Sequence, residues 1–362
     1  MNFHNMMFSM LLSCLSLSGC SKEYAEGLQS GTVSSNSEGN ASLANGNKAT
    51  TADGGVMQQC SPFTRTSKVG DVVSDPVLKG FGRLLFPVQR SYWSGETLEA
   101  LRLTYYNYID PDMTVDIVNQ FHDRAASGET VFYDIYSDAE KAADPRKQDT
   151  GLFFFRGKPG ARFAVCNAGG AFAYVGAMHD SFPHALQLSR KGYNAFALIY
   201  RPGAQTACED LARALSFIFL HADELGVDTD CYSLWGGSAG GRMAAWVSGY
   251  GTEAFGEEAL PRAGAAVIQY TGLSEYSRDD VPTYACVGSS DGIAYWRTMK
   301  ARLDGMAALG IPTEFHVYEG LPHGFGLGKG TVAEGWIDDA VRFWERQMKD
   351  SGTTGIKEVL TR

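Results

Sequence analysis

The sequence has too little positive charge for a nucleic-acid-binding surface. Its 362 residues contain 31 Lys and Arg against 41 Asp and Glu, so the formal net charge is −10 with neutral histidines. A surface of this sign offers no basic patch for phosphates and repels strongly anionic substrates. We therefore expect no nucleic-acid partner and a neutral small-molecule or oligosaccharide substrate.

Paired metal ligands are also missing from the sequence. The seven cysteines include no Cys-x-x-Cys pair, and Cys166, Cys231 and Cys286 lie in apolar runs, where a free cysteine packs as a small core residue. His179 and His184 are five residues apart, which differs from the i, i+4 spacing of zinc hydrolases. No glycine-rich stretch precedes the Lys-Ser/Thr of a phosphate loop. We expect neither a metal nor a cofactor.

The apolar run near the amino terminus is too short to span a bilayer. Residues 6–17 are mostly apolar and lead into Leu17-Ser18-Gly19-Cys20, which resembles the cleavage box of bacterial lipoproteins. The resemblance implies that residues 1–19 are a signal peptide and that Cys20 carries a lipid. The protein would then be anchored to a membrane of the cell envelope, outside the cytoplasmic membrane. An ordinary secretory signal or a disordered leader is the alternative.

The next part of the chain has almost no large apolar side chains. Residues 21–56 are rich in Ser, Gly, Asn, Ala and Thr, and they cannot bury enough surface to offset the entropy of ordering. We predict a flexible tether over 20–59, a folded domain over 60–350 and a C-terminal tail over 351–362. Within the domain, residues 60–150 are less regular and are predicted to form lead-in strands or a cover over the site.

Apolar and amphipathic runs alternate after residue 152. Short buried runs predict strands, and the longer amphipathic runs between them predict helices. Alternating βα units indicate an α/β fold with a mostly parallel sheet and helices on both faces, whose functional groups gather at the carboxyl ends of the strands. The predicted strands are residues 162–167, 194–200, 231–235, 265–270, 284–288 and 314–318, and the predicted helices are residues 181–191, 207–225, 238–248, 293–309 and 332–349.

The pentapeptide Gly236-Gly237-Ser238-Ala239-Gly240 lies where a predicted strand gives way to a predicted helix. A turn of the Gly-x-Ser-x-Gly type is too tight for side chains at its glycines, and it exposes the serine hydroxyl above the sheet. A plain glycine-rich turn is the alternative. The strand and helix that flank the motif favour Ser238 as a nucleophile.

A serine nucleophile needs a base, and the base needs a carboxylate that orients it. His323 follows a predicted strand in a loop with Pro and Gly neighbours, so we predict it to be the base. Asp291 follows the strand at 284–288 and lies between the serine and the histidine in the chain, which suits the carboxylate. The alternatives for the acid are Asp279 and Asp280, in a polar stretch typical of a solvated loop.

Backbone donors are also needed for the oxyanion of a tetrahedral intermediate. The N–H of Ala239 is one predicted donor, because it follows the nucleophile. Gly169 and Gly170 supply the other predicted donors, because their loop follows the strand at 162–167. Phe172 and Tyr174 follow in the same loop and are predicted to form an aromatic wall of the substrate pocket.

Six short motifs occur in order between residues 152 and 348: Gly169-Gly170-Ala171-Phe172, Tyr200-Arg201-Pro202, Glu209-Asp210-Leu211, Gly236-Gly237-Ser238-Ala239-Gly240-Gly241, Ser290-Asp291-Gly292 and His323-Gly324-Phe325. Together they resemble the α/β-hydrolase superfamily, and within it the acetyl esterase, lipase and feruloyl-esterase-like branch. The sequence departs from that pattern at Asn167-Ala168, where a histidine usually precedes the glycines, and at Ala171, where a third glycine is usual. The resemblance implies that Asp210 is structural.

These motifs predict a serine carboxylic ester hydrolase that forms an acyl-enzyme at Ser238. By analogy with the family, short-chain esters are the expected substrates, including acetylated or feruloylated polysaccharide fragments. One alternative is an exported serine peptidase of the same fold. The other is a non-catalytic binding protein derived from such a hydrolase.

Overall fold

The computed structural model describes residues 62–106 and 108–359. The predicted signal peptide, Cys20 and the whole of the predicted tether lie outside the described residues. In the described part of the chain, no helix is both long and apolar enough to cross a membrane.

Eight strands form the central sheet, and two short strands form a separate ribbon. The strands are β1 (Trp93–Ser94), β2 (Arg102–Leu103), β3 (Phe132–Tyr133), β4 (Gly151–Phe155), β5 (Arg162–Asn167), β6 (Asn194–Ile199), β7 (Asp228–Gly237), β8 (Ala265–Gln269), β9 (Thr283–Gly288) and β10 (Thr313–Tyr318). The order across the sheet is β10-β9-β8-β7-β5-β6-β4-β3. Neighbours from β10 to β6 are parallel, whereas β4 is antiparallel to both β6 and β3.

The central strands are buried on both faces, which explains their nearly continuous apolar sequences. Every residue of β4, β6, β8 and β9 is buried. Each strand predicted from the sequence is present, and the ends differ by only a few residues. β3 lies within residues 60–150, where lead-in strands were one of the two predictions.

The described residues form ten α-helices, of which those between β5 and β10 in the chain connect parallel strands. They are α1 (Val69–Ser74), α2 (Pro111–Ala126), α3 (Asp138–Ala143), α4 (Ala177–Asp180), α5 (Phe182–Arg190), α6 (Ala204–Leu220), α7 (Ala222–Leu225), α8 (Ala239–Tyr250), α9 (Trp296–Ala308) and α10 (Trp336–Val359). Short 3₁₀ turns lie at Pro76–Leu78, Gly82–Leu85, Arg90–Tyr92, Pro145–Asp149 and Thr252–Phe255.

Two of the predicted helices differ from the observed ones by more than three residues at an end or by a break. The helix predicted over 207–225 is interrupted at His221, which separates α6 from α7. The last helix starts at Trp336 rather than at 332, and it continues to Val359 through most of the predicted tail. The glycines near the end of α10 lower helix propensity, but extending an existing helix adds one hydrogen bond for each residue fixed.

The N-terminal segment, residues 62–150, packs against the sheet through aromatic side chains. Phe121 of α2 is fully buried, and its ring lies 4.9 Å from that of Phe153 and 4.7 Å from that of Phe155 in β4. Phe182 of α5 completes this cluster, with ring centroids 5.6 Å from Phe121. Burial of such rings stabilises the attachment of the segment to the sheet.

Candidate active site

Ser238 lies at the sharp turn between β7 and α8. Its backbone angles are φ 51° and ψ −118°, a conformation that is unfavourable for a side chain larger than that of glycine. The turn is held by a hydrogen bond from Ser238 N–H to the carbonyl of Gln269, at 2.9 Å. A side chain at Gly236 or Gly240 would collide with neighbouring backbone, so the glycines on either side are required by space. The packing therefore holds the strained serine in place.

Ser238, His323 and Asp291 lie in contact with one another. His323 Nε2 is 3.0 Å from Ser238 Oγ, and His323 Nδ1 is 2.8 Å from Asp291 Oδ2. A carboxylate can only accept hydrogen bonds, so Nδ1 carries the proton and Nε2 is the acceptor for the serine hydroxyl. This arrangement of hydroxyl, imidazole and carboxylate is the one that activates a serine nucleophile.

Asp291 is held by the backbone that follows β9. Its side chain is fully buried, and its Oδ1 accepts the N–H groups of Ile293 at 2.8 Å and Ala294 at 2.7 Å. These contacts occupy one oxygen and leave Oδ2 directed at His323. The carboxylate is therefore fixed independently of the imidazole that it orients.

The two alternative acids are not at this site. Asp280 forms an ion pair with the buried Arg302 at 2.9 Å and accepts the N–H of Ser277 at 2.7 Å. Asp279 is exposed to solvent. The other described histidines contact groups away from Ser238; they are His122, His179, His184, His221 and His316.

The oxyanion donors partly differ from the prediction. The Ala239 N–H belongs to the first turn of α8, where backbone donors have no intrahelical acceptor. The Gly169 N–H instead donates to the carboxylate of Asp180 at 3.1 Å, so it is not free for an oxyanion, which corrects the prediction for this residue. In the described chain, no hydrogen bond engages the N–H of Gly170 or of Ala171. Ala171, with φ 56°, was missed because only glycines were considered.

The predicted aromatic wall is also partly corrected. Phe172 is partly buried, and its ring stacks on Trp246 at 6.0 Å, next to the loop of the oxyanion donors. Tyr174 is 1% exposed, stacks on Tyr92 at 4.8 Å and donates its hydroxyl hydrogen to the carbonyl of Thr104. Tyr174 therefore fixes the N-terminal segment and lines a cavity of about 230 Å³ that does not include Ser238.

A cavity of about 220 Å³ opens beside His323. One wall comes from the His323 loop, and the opposite wall comes from the N-terminal segment, including Tyr108 and Met113. Asp110 and Lys329 form an ion pair of 2.9 Å that joins the two walls. The sequence could not predict this wall, because nothing in the local pattern of residues 60–150 indicates which of them face the site.

Asp180, at the end of α4, is a further buried carboxylate that the sequence analysis missed. It accepts hydrogen bonds from Tyr106 Oη and Tyr270 Oη, each at 2.6 Å, in addition to Gly169 N–H. Burial and the neighbouring carboxylate raise the pKa values of both tyrosines well above their usual value, so both hydroxyls remain protonated donors. In the described residues, no group of His, Cys, Asp and Glu could hold a metal ion.

Asp210 has a separate set of partners. It forms an ion pair with Arg201 at 2.8 Å and accepts the hydroxyl hydrogen of Tyr136 at 2.6 Å. The Asp210 side chain is fully buried, and its hydrogen-bond partners do not include Ser238, His323 or Asp291. Asp210 therefore ties α6 to the end of β6 and to the N-terminal segment.

The BD-FAE family profile matches residues 158–270. Among solved structures, the acetyl ester-xyloside bifunctional hydrolase from Caldicellulosiruptor lactoaceticus is similar with a TM-score of 0.53 and 19% identity, over 59% of this chain and 95% of that one. A Thermogutta terrifontis esterase in its propionate-bound form has a TM-score of 0.46 and 22% identity, over 57% and 90%. A sugar hydrolase from Lactococcus lactis has a TM-score of 0.47 and 20% identity, over 56% and 95%.

No curated protein sequence matches the chain. The mostly parallel eight-stranded sheet flanked by helices, with the serine turn after β7, is that of an α/β-hydrolase. The predicted fold class is therefore confirmed.

Proposed function

We propose that the protein is a serine carboxylic ester hydrolase that forms an acyl-enzyme at Ser238. The proposal is carried by the continuous contact from Ser238 Oγ through His323 to Asp291, over distances of 3.0 and 2.8 Å. A serine hydroxyl attacks an ester efficiently only when a base accepts its proton. His323 is within hydrogen-bond reach of that proton and is itself oriented by a fixed carboxylate.

The reaction proceeds in two half-reactions. Ser238 Oγ attacks the carbonyl carbon while its proton passes to His323 Nε2, and the N–H groups of Ala239 and of Gly170 or Ala171 stabilise the oxyanion. Collapse of the intermediate breaks the ester C–O bond, and His323 returns the proton to the leaving alcohol. Water then attacks the acyl-enzyme by the same route and releases the acid, while Asp291 stays ionised and stabilises the imidazolium.

For the substrate, we propose short acyl esters, with acetylated or feruloylated polysaccharide fragments as natural targets. The BD-FAE match and the acetyl ester-xyloside hydrolase of similar fold support this choice. The net charge of −10 also suits a neutral ester. Phe172 stacks on Trp246 next to the donor loop, and we expect this packing to limit the depth available to the acyl chain.

The substrate proposal is tested with p-nitrophenyl esters of increasing chain length and with acetylated xylo-oligosaccharides. A methylene contributes about 0.8 kcal/mol only while it is buried, so a shallow pocket gives the highest kcat/KM at about two to four carbons. A kcat/KM that keeps rising to about ten carbons would contradict the short-chain assignment. Hydrolysis of peptide amides without hydrolysis of esters would instead identify a peptidase.

For the location, we propose that Cys20 is lipidated and holds the domain at a membrane outside the cytoplasm. The support is the sequence Leu17-Ser18-Gly19-Cys20 after a short apolar run. Cell fractionation of the full chain, with radiolabelled palmitate, should find label and protein in the membrane fraction. Cys20→Ala should move the protein to the soluble fraction without label, and membrane retention of that variant would contradict lipidation.

A further inference from the structure

Asp180 is a buried carboxylate with no Lys or Arg partner among the described residues. Its side chain has no exposure to solvent, and the nearest ionisable nitrogen is His179 Nε2, at 3.7 Å. Three donors compensate the burial: Tyr106 Oη, Tyr270 Oη and Gly169 N–H. A buried carboxylate is costly unless its oxygens accept hydrogen bonds, and each of the three donors belongs to a different part of the site.

The bond from Gly169 N–H to Asp180 fixes the loop that carries the oxyanion donors. The Ala168–Gly169 peptide is held at both ends, because Tyr200 Oη donates to the Ala168 carbonyl at 2.6 Å and Asp180 accepts the Gly169 N–H. In the next peptide, Gly169–Gly170, the Gly169 carbonyl accepts the N–H of Gly176 at 2.9 Å. In a trans peptide the N–H points opposite to the carbonyl, so these contacts fix the direction of the unengaged Gly170 N–H.

The hydroxyls of Tyr270 and Tyr106 connect Asp180 to the loop that carries His323, the proposed base. The ring of Tyr270 lies 5.0 Å from that of His323, edge to face, so its hydroxyl bond to Asp180 sets a surface against which the imidazole packs. The ring of Tyr106 lies 4.3 Å from that of His179, whose Nε2 donates to the carbonyl of Gly324 at 2.8 Å. Both contacts bear on the position of His323.

We propose that Asp180 is a positioning residue that sets the oxyanion loop and His323 relative to Ser238. Through Tyr106, the N-terminal segment is part of this apparatus and not only a cover. The carboxylate lies against the serine turn, since a Cβ at Gly237 would be 2.8 Å from Asp180 Oδ2. This inference rests on the proposed esterase function and assigns it a requirement outside the three catalytic residues.

The chain provides a matched control for the test. Tyr106 and Tyr136 both belong to the N-terminal segment, are 7% and 8% exposed, and each donates its hydroxyl hydrogen at 2.6 Å to a buried aspartate. Tyr106 bonds Asp180, whereas Tyr136 bonds Asp210. Replacing either with Phe removes one hydroxyl and its bond to a carboxylate. Tyr136 Oη also accepts from Arg201 at 3.4 Å, so Tyr136→Phe should lose at least as much stability as Tyr106→Phe.

The test compares Tyr106→Phe with Tyr136→Phe in steady-state hydrolysis of p-nitrophenyl acetate and in inhibition by a trifluoromethyl ketone. The ketone forms a tetrahedral adduct with a serine nucleophile, so its Ki reports oxyanion stabilisation. In Tyr106→Phe we expect kcat to fall about tenfold and the Ki to rise about tenfold, with KM changed less than about twofold. In Tyr136→Phe we expect kcat, KM and Ki all to change less than about twofold.

Equal effects of the two substitutions on kcat and Ki would overturn the positioning role of Asp180. If the wild-type protein hydrolyses the ester in that experiment, the proposed esterase function still stands. A wild-type protein with no esterase activity would overturn both. Asp180→Asn, which replaces an acceptor oxygen with a donor, should lower kcat by about a hundredfold where the variant folds. If it does not fold, the two tyrosine variants decide the question.

Discussion

The interior of the sheet and the edge at the carboxyl ends of its strands differ in composition and in backbone strain. β4 has the sequence GLFFF, and all of its residues are buried in regular extended backbone. At the carboxyl edge, Ala171, Phe172, Ser238 and Tyr270 have positive φ; they are four of the six such non-glycine residues in the described chain. Strain of this kind persists only where the surrounding packing enforces it.

Stability and chemistry are carried by different parts of the same sheet. The interior stabilises the protein by burying apolar surface. The edge holds polar groups in fixed positions, which lowers the stability of the fold, and the burial of apolar surface in the interior offsets this loss. Substitutions at the edge should therefore change rates more than stability, and substitutions in the interior should do the opposite.

The largest expected effect is that of Ser238→Ala at the edge. The hydroxyl is the proposed nucleophile and contributes little packing, so we expect kcat to fall on the order of a million-fold, as in other serine hydrolase triads. The unfolding free energy should change by less than about 1 kcal/mol. Steady-state kinetics and thermal denaturation measure the two quantities. Substantial turnover by the folded variant would show that Ser238 is not the nucleophile.

Asp291→Asn should have the next largest effect. The amide keeps the shape of the side chain but favours the wrong tautomer of His323, so we expect kcat to fall by about ten-thousandfold. Asp280→Asn is a control, because its carboxylate bonds Arg302 and lies away from the imidazole. If kcat were unchanged in Asp291→Asn and greatly reduced in the control, the assignment of the acid would be reversed.

In the sheet interior, Phe154→Ala should affect stability and not catalysis. The ring of Phe154 is fully buried and stacks on Phe196 at 4.3 Å. Removing it leaves a cavity, and we expect the unfolding free energy to fall by about 3–5 kcal/mol. Denaturant titration measures the loss, and kcat is measured at a temperature where the variant remains folded. A tenfold or larger drop in kcat of the folded variant would break the separation between interior and edge.

A smaller effect is expected on the pH dependence of stability, through His184 in α5. Burial lowers the pKa of His184 to about 4, and the smaller effect of Asp180 opposes this shift whereas that of His179 adds to it. The unfolded chain binds a proton near pH 6.5 and the folded chain does not, so stability is complete above that pH and decreases as the pH falls towards 4. A shift of this size corresponds to about 3 kcal/mol.

Denaturant unfolding at pH 7.5 and at pH 4.5 tests this linkage. His184→Leu should reduce the loss of stability between the two pH values, while His221→Leu, at a more exposed position, should leave it unchanged. An identical pH dependence in wild type and His184→Leu would show that another group governs acid sensitivity.

The interior could be predicted from the sequence, and part of the edge could not. Strands such as 162–167 and 284–288 are visible because a buried strand needs a continuous apolar run. Ser238, Asp291 and His323 could be selected because each follows a strand within a few residues of a recognisable turn. By contrast, Tyr106 meets Asp180 across a separation of 74 residues, and no local pattern specifies such a contact. The assignment of Gly169 was wrong for the same reason, because its N–H partner, Asp180, lies outside the glycine loop.

Labelling with a fluorophosphonate, which reacts with activated serines, shows directly whether Ser238 is an activated nucleophile. We expect one covalent adduct per chain, located on Ser238 by peptide mass spectrometry, with loss of esterase activity in proportion to labelling. His323→Ala should label far more slowly, because the hydroxyl then has no base. Absence of an adduct on Ser238 in the folded wild-type protein would contradict the assignment of this site as a working catalytic centre.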